Sequence, residues 1–144
     1  MKRVKDILTR KGSAITSVAS NTTVLDALKI MADQNIGSVV VMEGNKIVGI
    51  MTERDYARKV ILHGKSSTDT PVSEIMSIEF PRVTPQDTLE QCMQLMSSNN
   101  IRYLPVYEEE NLSGIVSIND VVKETILVQQ ETISQLKDYL HASL

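Results

Sequence analysis

Gly49-Ile-Met-Thr-Glu-Arg-Asp55 and Gly114-Ile-Val-Ser-Ile-Asn-Asp120 carry one pattern: glycine, two apolar residues, a hydroxyl, two variable residues and aspartate. They lie 65 residues apart, Gly49 against Gly114, and the same offset governs a much longer match. Residues 18–57 align with residues 83–122 without a gap. Ten positions are identical: Val18/Val83, Thr23/Thr88, Met31/Met96, Asn35/Asn100, Ile36/Ile101, Val41/Val106, Glu43/Glu108, Gly49/Gly114, Ile50/Ile115 and Asp55/Asp120. Upstream, Val4-Lys-Asp-Ile-Leu8 matches Val72-Ser-Glu-Ile-Met76. Solenoid repeats are shorter and more numerous. A long unit present twice describes two α/β modules completing a shared core.

Each copy predicts the same order of elements. Thr22 or Thr23 can cap a helix whose apolar residues, Val24, Leu25, Ala27, Leu28, Ile30 and Met31, recur at helical spacing up to Asn35 and Gly37. Ser38-Val-Val-Val-Met42 is a short β-branched run, and Glu43-Gly-Asn45 turns it into Lys46-Ile-Val-Gly-Ile-Met51, a hairpin. Thr52 opens a helix expected to reach His63, where Gly64 stops it. The second copy predicts a helix over 87–99, strands over 103–107 and 112–117, and a helix from Asn119 onward. Short entry strands are expected at 15–18 and 82–84, giving β-α-β-β-α twice. Copy one spans 4–63, a polar linker 64–71, copy two 72–128, and a helical extension 129–144. The extension keeps an apolar stripe, Ile126, Ile133, Leu136, Leu140 and Leu144, interrupted by Gln129 and Gln130. It either folds back on its own module or meets a second subunit.

Composition narrows the function. No apolar run approaches the length of a membrane span, and the charged start MKRVKDILTRKG lacks the apolar segment of a secretory signal. One cysteine, Cys92, fits a reducing, cytoplasmic setting and a small core position. A net charge of −3 and five aromatic residues argue against a nucleic-acid binder. Residues 1–72 hold 11 basic and 7 acidic side chains, residues 73–144 hold 4 and 11, so the halves stand at +4 and −7. His63 and His141 lie outside the repeated turns, so neither a metal site nor a histidine dyad is expected. Met31, Met42, Met51, Met93 and Met96 are expected on core faces, and Glu108-Glu-Glu110 as a solvated loop.

The turns themselves have two readings. Threonine or serine at the N-cap with aspartate three residues on resembles a capping box, needing no ligand. A helix N-terminus with a hydroxyl can equally take a phosphate, while the nearby carboxylate accepts both hydrogens of a ribose diol. In that reading glycine clears space for the ligand's approach.

Two β-α-β-β-α copies, each ending in this turn, resemble a pair of cystathionine-β-synthase (CBS) domains, the Bateman module, from Val4 to about Val128. The segment Thr52-Glu-Arg-Asp-Tyr-Ala-Arg-Lys-Val60 with Gly64-Lys-Ser-Ser67 is similar to small stand-alone bacterial CBS-pair proteins. The resemblance implies an α/β fold of two repeats packed with pseudo-twofold symmetry, plus an extended C-terminal helix. It implies a non-enzymatic sensor of adenosine nucleotides (AMP, ATP or NAD), bound in clefts between the repeats, with no catalytic cofactor. It further implies a homodimer acting on an unidentified regulated protein in trans, without nucleic acid or membrane.

By the same resemblance, the first cleft would draw on Thr52, Arg54, Asp55 and Arg58, with Ile101, Arg102, Tyr103, Leu104 and Thr84 from the other copy. The second would draw on Ser117, Asn119 and Asp120, with Ile36, Gly37, Ser38, Val39 and Thr16. Arg54, Arg58, Lys59 and Arg102 make the first site the more basic, so it is expected to take the more highly charged ligand. The rival expectation is a dimeric interaction scaffold whose clefts are vestigial.

Overall fold

In the computed structural model, which describes residues 1–143, the elements run α1 (Val4–Lys11), β1 (Ser17–Ala19), α2 (Val24–Gln34), β2 (Ser38–Glu43), β3 (Lys46–Thr52), α3 (Glu53–Lys59), α4 (Leu89–Asn99), β4 (Tyr103–Glu108), β5 (Asn111–Ser117) and α5 (Ile118–Ser143). Leu144, expected to end the C-terminal apolar stripe, lies outside the described residues.

The helices that follow the entry segments begin and end for identical reasons. Thr23 and Thr88 accept from the backbone N–H groups of Asp26 and Gln91, three residues into each helix. Asn35 and Asn100 close the same helices in the left-handed conformation, at φ 55° and 54°. Asparagine tolerates that region better than most residues, which is why one residue type recurs at both ends. Both hairpins also carry a register shift at equivalent points, Val41/Met42 and Val106/Tyr107.

Packing divides the chain differently from the repeat. One compact unit is Ile15–Phe80; the other combines Met1–Ala14 with the chain from Pro81 onward. In the first unit, β1 runs parallel to β2, and β2 antiparallel to β3. Its core holds Val18, Val24, Ala27, Met31, Val39, Val41 and Met51, together with Val72 and Ile75 from the second upstream stretch. In the other unit, Val4 and Ile7 of α1 join Val83, Leu89, Cys92, Met96, Leu104, Val106, Val116 and Val121.

The two upstream stretches are therefore exchanged, each seated on the sheet of the other copy. Their backbone ties correspond bond for bond. Val4 N–H donates to the Asp87 carbonyl at 2.9 Å and Lys5 N–H to that of Pro85 at 3.0 Å. Val72 N–H donates to Thr22 at 2.8 Å and Ser73 N–H to Ser20 at 3.2 Å.

Four expectations change. The second copy's entry strand at 82–84 is reduced to one parallel bridge, Val83 to Val106, so its sheet has two strands, β4 and β5. The helix expected to run from Thr52 to His63 ends at Lys59; a separate 3-10 turn, Ile61–His63, follows, and Gly64 leaves it at φ 67°. Met93 is not on the core face of α4 but exposed, whereas Met31, Met51 and Met96 are buried. α5 does not fold back along its length. Every residue from Gln129 to Ala142 is exposed, including Ile133, Leu136, Tyr139 and Leu140. Cys92 is fully buried, and that burial pushes its thiol up to about 11, so it stays protonated at neutral pH.

Candidate functional site: the repeated strand-to-helix turns

Each repeated turn is built from the last residue of a hairpin strand and the first turn of the helix that follows. Thr52 is extended, at φ −119° and ψ 164°, and forms the N-cap of α3. Its hydroxyl accepts from Asp55 N–H at 3.1 Å, while Asp55 Oδ2 accepts from Thr52 N–H at 2.9 Å. In the other copy, Ser117 Oγ accepts from Asp120 N–H at 3.1 Å, and Asp120 Oδ2 accepts from Ser117 N–H at 2.8 Å. Both turns are thus reciprocal capping boxes, with aspartate where glutamate is commoner. Such a box satisfies two donors that a helix start leaves orphaned.

Both carboxylates also hold a lysine. Lys59 Nζ lies 3.1 Å from Asp55 Oδ1 and donates to the Ile75 carbonyl at 2.9 Å. Lys11 Nζ, at the end of α1, lies 2.7 Å from Asp120 Oδ2. One lysine is local to its turn and the other is supplied by the exchanged N-terminal helix.

The reason for the motif glycines lies in the upstream stretches. A Cβ on Gly49 would lie 2.7 Å from Met76 Cγ and 3.1 Å from Met76 Cβ. On Gly114 it would lie 2.8 Å from Leu8 Cδ2. Leu8 and Met76 end the two matched upstream stretches, Val4–Leu8 and Val72–Met76. The space expected for an approaching ligand is filled by the protein's own side chain in both copies.

The position four residues past each aspartate shows how the copies diverged. It is Lys59 in the first copy and Glu124 in the second. Glu124 is 1% exposed. Arg10 donates to both its oxygens, at 2.9 Å from Nε and 3.1 Å from Nη2, and Lys2 stands 3.9 Å away. An acidic side chain so deeply placed needs such a partner. The basic N-terminal segment thus answers the acidity of the second copy: Arg10 and Lys2 on Glu124, Lys11 on Asp120.

The start of each hairpin's first strand is also tied to its own turn. Ser38 pairs with Thr52, and Glu53 N–H donates to the Gly37 carbonyl at 3.1 Å. Tyr103 pairs with Ser117, and Ile118 N–H donates to the Arg102 carbonyl at 2.8 Å. Val39 and Leu104 are buried in the cores of their own units, and Ser38 is buried as well. Ile36 and Ile101 pack against those cores. Arg58, Arg102 and Asn119 are exposed; Arg54 is half-buried. The Thr16 hydroxyl bonds Gln34, and the exposed Thr84 accepts from Gln86 N–H.

Sequence reasoning did not single out Lys11, Arg10 or Lys2. The available signal was the Lys59/Glu124 reversal, which calls for a cation from elsewhere. Among the described residues, no group of three or more His, Cys, Asp or Glu side chains is placed to hold a metal. No helix among them is long and apolar enough to cross a membrane.

The CBS-domain family model matches residues 4–62 and 72–126. The Arabidopsis thaliana mitochondrial protein CBSX3 is 37% identical over 146 aligned residues, 95% of this chain and 71% of that protein. The Bacillus subtilis CBS domain-containing protein YhcV is 36% identical over 84% of each chain. A protein with CBS domains from Burkholderia ambifaria, assigned to signal transduction, superposes with a TM-score of 0.86 at 43% identity, covering 88% of this chain and 95% of its own. A CBS-domain protein of Agrobacterium tumefaciens gives 0.83 at 35% identity, covering 86% and 99%. Exchanged leaders, doubled hairpins and doubled capping turns agree with these matches, and the chain belongs to the CBS-domain family as a tandem pair of CBS domains.

Proposed function

We propose that this protein is a sensor of adenosine-containing nucleotides, AMP, ATP or NAD(H), that passes their occupancy to a separate protein in the cytoplasm. CBS pairs are regulatory modules, and a signal-transduction role is assigned to the Burkholderia relative. The observation that carries the reading is the recurrence of one hydroxyl–carboxylate turn in both copies, held in the same geometry by the same pair of bonds. A carboxylate has about four acceptor positions. The Asp55 carboxylate uses three, for Thr52 N–H, the Thr52 hydroxyl and Lys59, which leaves one for a ribose hydroxyl while the cap persists.

Around Asp55, Arg54 and Arg58 share a helix with Lys59 and favour a ligand of higher charge, ATP or a dinucleotide. Around Asp120, the exposed Asn119 carries no charge and Glu124 is buried on Arg10, so this helix start is less basic than that of Arg54 and Arg58, and the turn favours AMP. We place the protein outside the enzymes, because phosphoryl chemistry would need positioned acid–base or metal groups beyond two binding carboxylates.

A thermal-shift panel with AMP, ADP, ATP, NAD, NADH and S-adenosylmethionine tests this. A ligand at 100 times its dissociation constant is expected to stabilise by about 2.7 kcal/mol, several degrees for a chain of this size. Asp55→Ala with Asp120→Ala should remove the shift, each protein being compared with its own ligand-free baseline. In the same titrations, Arg58→Ala should weaken ATP more than AMP. No shift with any nucleotide, or an equal shift in the double variant, removes the sensor reading.

One observation favours a second reading, a dimeric interaction scaffold. On α5, Ile126, Ile133, Leu136 and Leu140 are all exposed, at 47% to 62%. Their spacing of seven, three and four residues is that of a helix–helix seam. Ending the chain at Gln130 is expected to lower its mass in solution from dimer to monomer, read by light scattering. An unchanged mass would take α5 out of the dimer contact.

A further inference from the structure

The exposed apolar side chains of α5 follow a regular order. Val122, Ile126, Ile133, Leu136 and Leu140 are 47% to 62% exposed. With Gln129 they are spaced four, three, four, three and four residues, a heptad seam over about 27 Å of helix. The opposite face of the same helix belongs to the module: Val121 and Glu124 are buried, Leu127 and Val128 half-buried. The seam therefore does not continue the core, and only a second body can cover it. From Gln129 to Ala142 every residue is exposed, and a helix gains most of its stability from a packed face.

Composition along the seam makes that body a second copy of this chain. Isoleucine at position a with leucine at d, as at Ile133 and Leu136, suits two-stranded pairing. The helix has four carboxylates against two lysines, yet Asp120, Glu124, Glu131 and Asp138 all lie off the seam and its flanks. Two such acidic helices can close without their carboxylates meeting. Covering the six seam positions on each helix removes roughly 1,000 Å² in all, the lower bound for a specific interface.

We propose that α5 pairs with α5 of a second copy as a parallel, in-register two-stranded coiled coil, with Gln129 as the layer that sets the register. This deepens the dimer reading above and rests on it. In register, the Gln129 amide meets Gln129 of the partner subunit, and an amide both donates and accepts, so the pair satisfies itself. Lys137 then flanks the uncharged Thr132 of the partner subunit. Reversing one helix would set Gln129 against Ile133 of the partner subunit and bring Lys123 towards Lys137 of the partner subunit, both unfavourable. In the parallel pair the two Asp120 turns, at the start of α5, stand side by side at one end of the dimer.

The test is disulfide linkage of the full chain in a glutathione redox buffer, read on a non-reducing gel. Cys92 is fully buried, so the wild type should give no link. Val122→Cys and Leu140→Cys, near the two ends of the seam, should each link to its own copy. Glu131→Cys, on the outer face, should not. Ile133→Lys should weaken the dimer on the order of a hundred-fold, since two ammonium groups would meet in the seam. Linkage of Val122→Cys with Leu140→Cys only when the two proteins are mixed means an antiparallel pair, which overturns the proposal and leaves the dimer reading standing. No linkage, with a mass in solution unchanged by ending the chain at Gln130, removes the α5 dimer reading itself. A chain that is monomeric as wild type removes both and assigns the seam to a different protein.

Discussion

Cutting the chain between its two copies, at Pro71–Val72, is expected to yield two unfolded fragments, not two domains. The fragment 1–71 would hold the three-stranded sheet without Val72 and Ile75, which are 0% and 1% exposed in its core, and would leave α1 with nothing to pack on. The fragment 72–144 would lose Val4 and Ile7, 0% and 3% exposed in the other core. Burying one such side chain contributes about 1.5–3 kcal/mol. Two per unit is a large share of the 5–15 kcal/mol that whole domains possess, and units near 65 residues are marginal at the start. The lost backbone bonds to Asp87, Pro85, Thr22 and Ser20 add unpaired carbonyls. Circular dichroism and amide dispersion of each fragment would check this, and mixing the two should restore the native spectrum. A cooperative melt from either fragment alone would show that the exchanged helices are dispensable.

Gly49→Val is the second large effect, and its signature is rescue rather than loss. Gly49 lies within β3, with no positive φ, so strain of the backbone is not the issue. The issue is Met76, whose Cβ as well as its chain end meets the new side chain, so rotation of the methionine is not enough. Overpacking of this kind costs about 1–3 kcal/mol. Met76→Ala should recover much of the loss, a coupling visible in a double-mutant cycle by urea denaturation. Gly114→Val should cost less, because there only the methyl tips of Leu8 are close, and they can swing. Additive losses at Gly49 and Met76 would mean that the glycine answers to something other than the upstream stretch.

Much of the fold was legible because it is written in short-range signals that occur twice. Thr23 and Thr88 as caps, Asn35 and Asn100 as left-handed ends, and short apolar runs before Glu43 and Glu108 all act within a few residues of themselves. Where the reading failed, a competing local effect won. Val60 leaves α3 and joins the core, so the helix ends before Gly64 can stop it. Pro81 and Pro85 bracket the entry segment of the second copy, leaving little room for ladder pairing beyond Val83. The aspartates were found from the motif. Their partners were not, since nothing local connects Lys11 to Asp120 or Arg10 to Glu124.

Charge shows where the division falls. Along the sequence the halves stand at +4 and −7, which suggests two electrically different modules. In the folded chain, residues 15–80 carry 6 basic and 8 acidic side chains, and residues 1–14 with 81–144 carry 9 and 10. The units are −2 and −1, close to balanced. The repeat, the order of elements and the capping turns follow from the sequence alone, because periodicity and capping are properties of neighbouring residues. Which copy each upstream stretch completes is decided only in three dimensions. Val4 and Ile7 fit one core and Val72 and Ile75 the other, and with α1 the basic residues of the N-terminus are carried to the acidic second copy, where they neutralise Glu124 and Asp120.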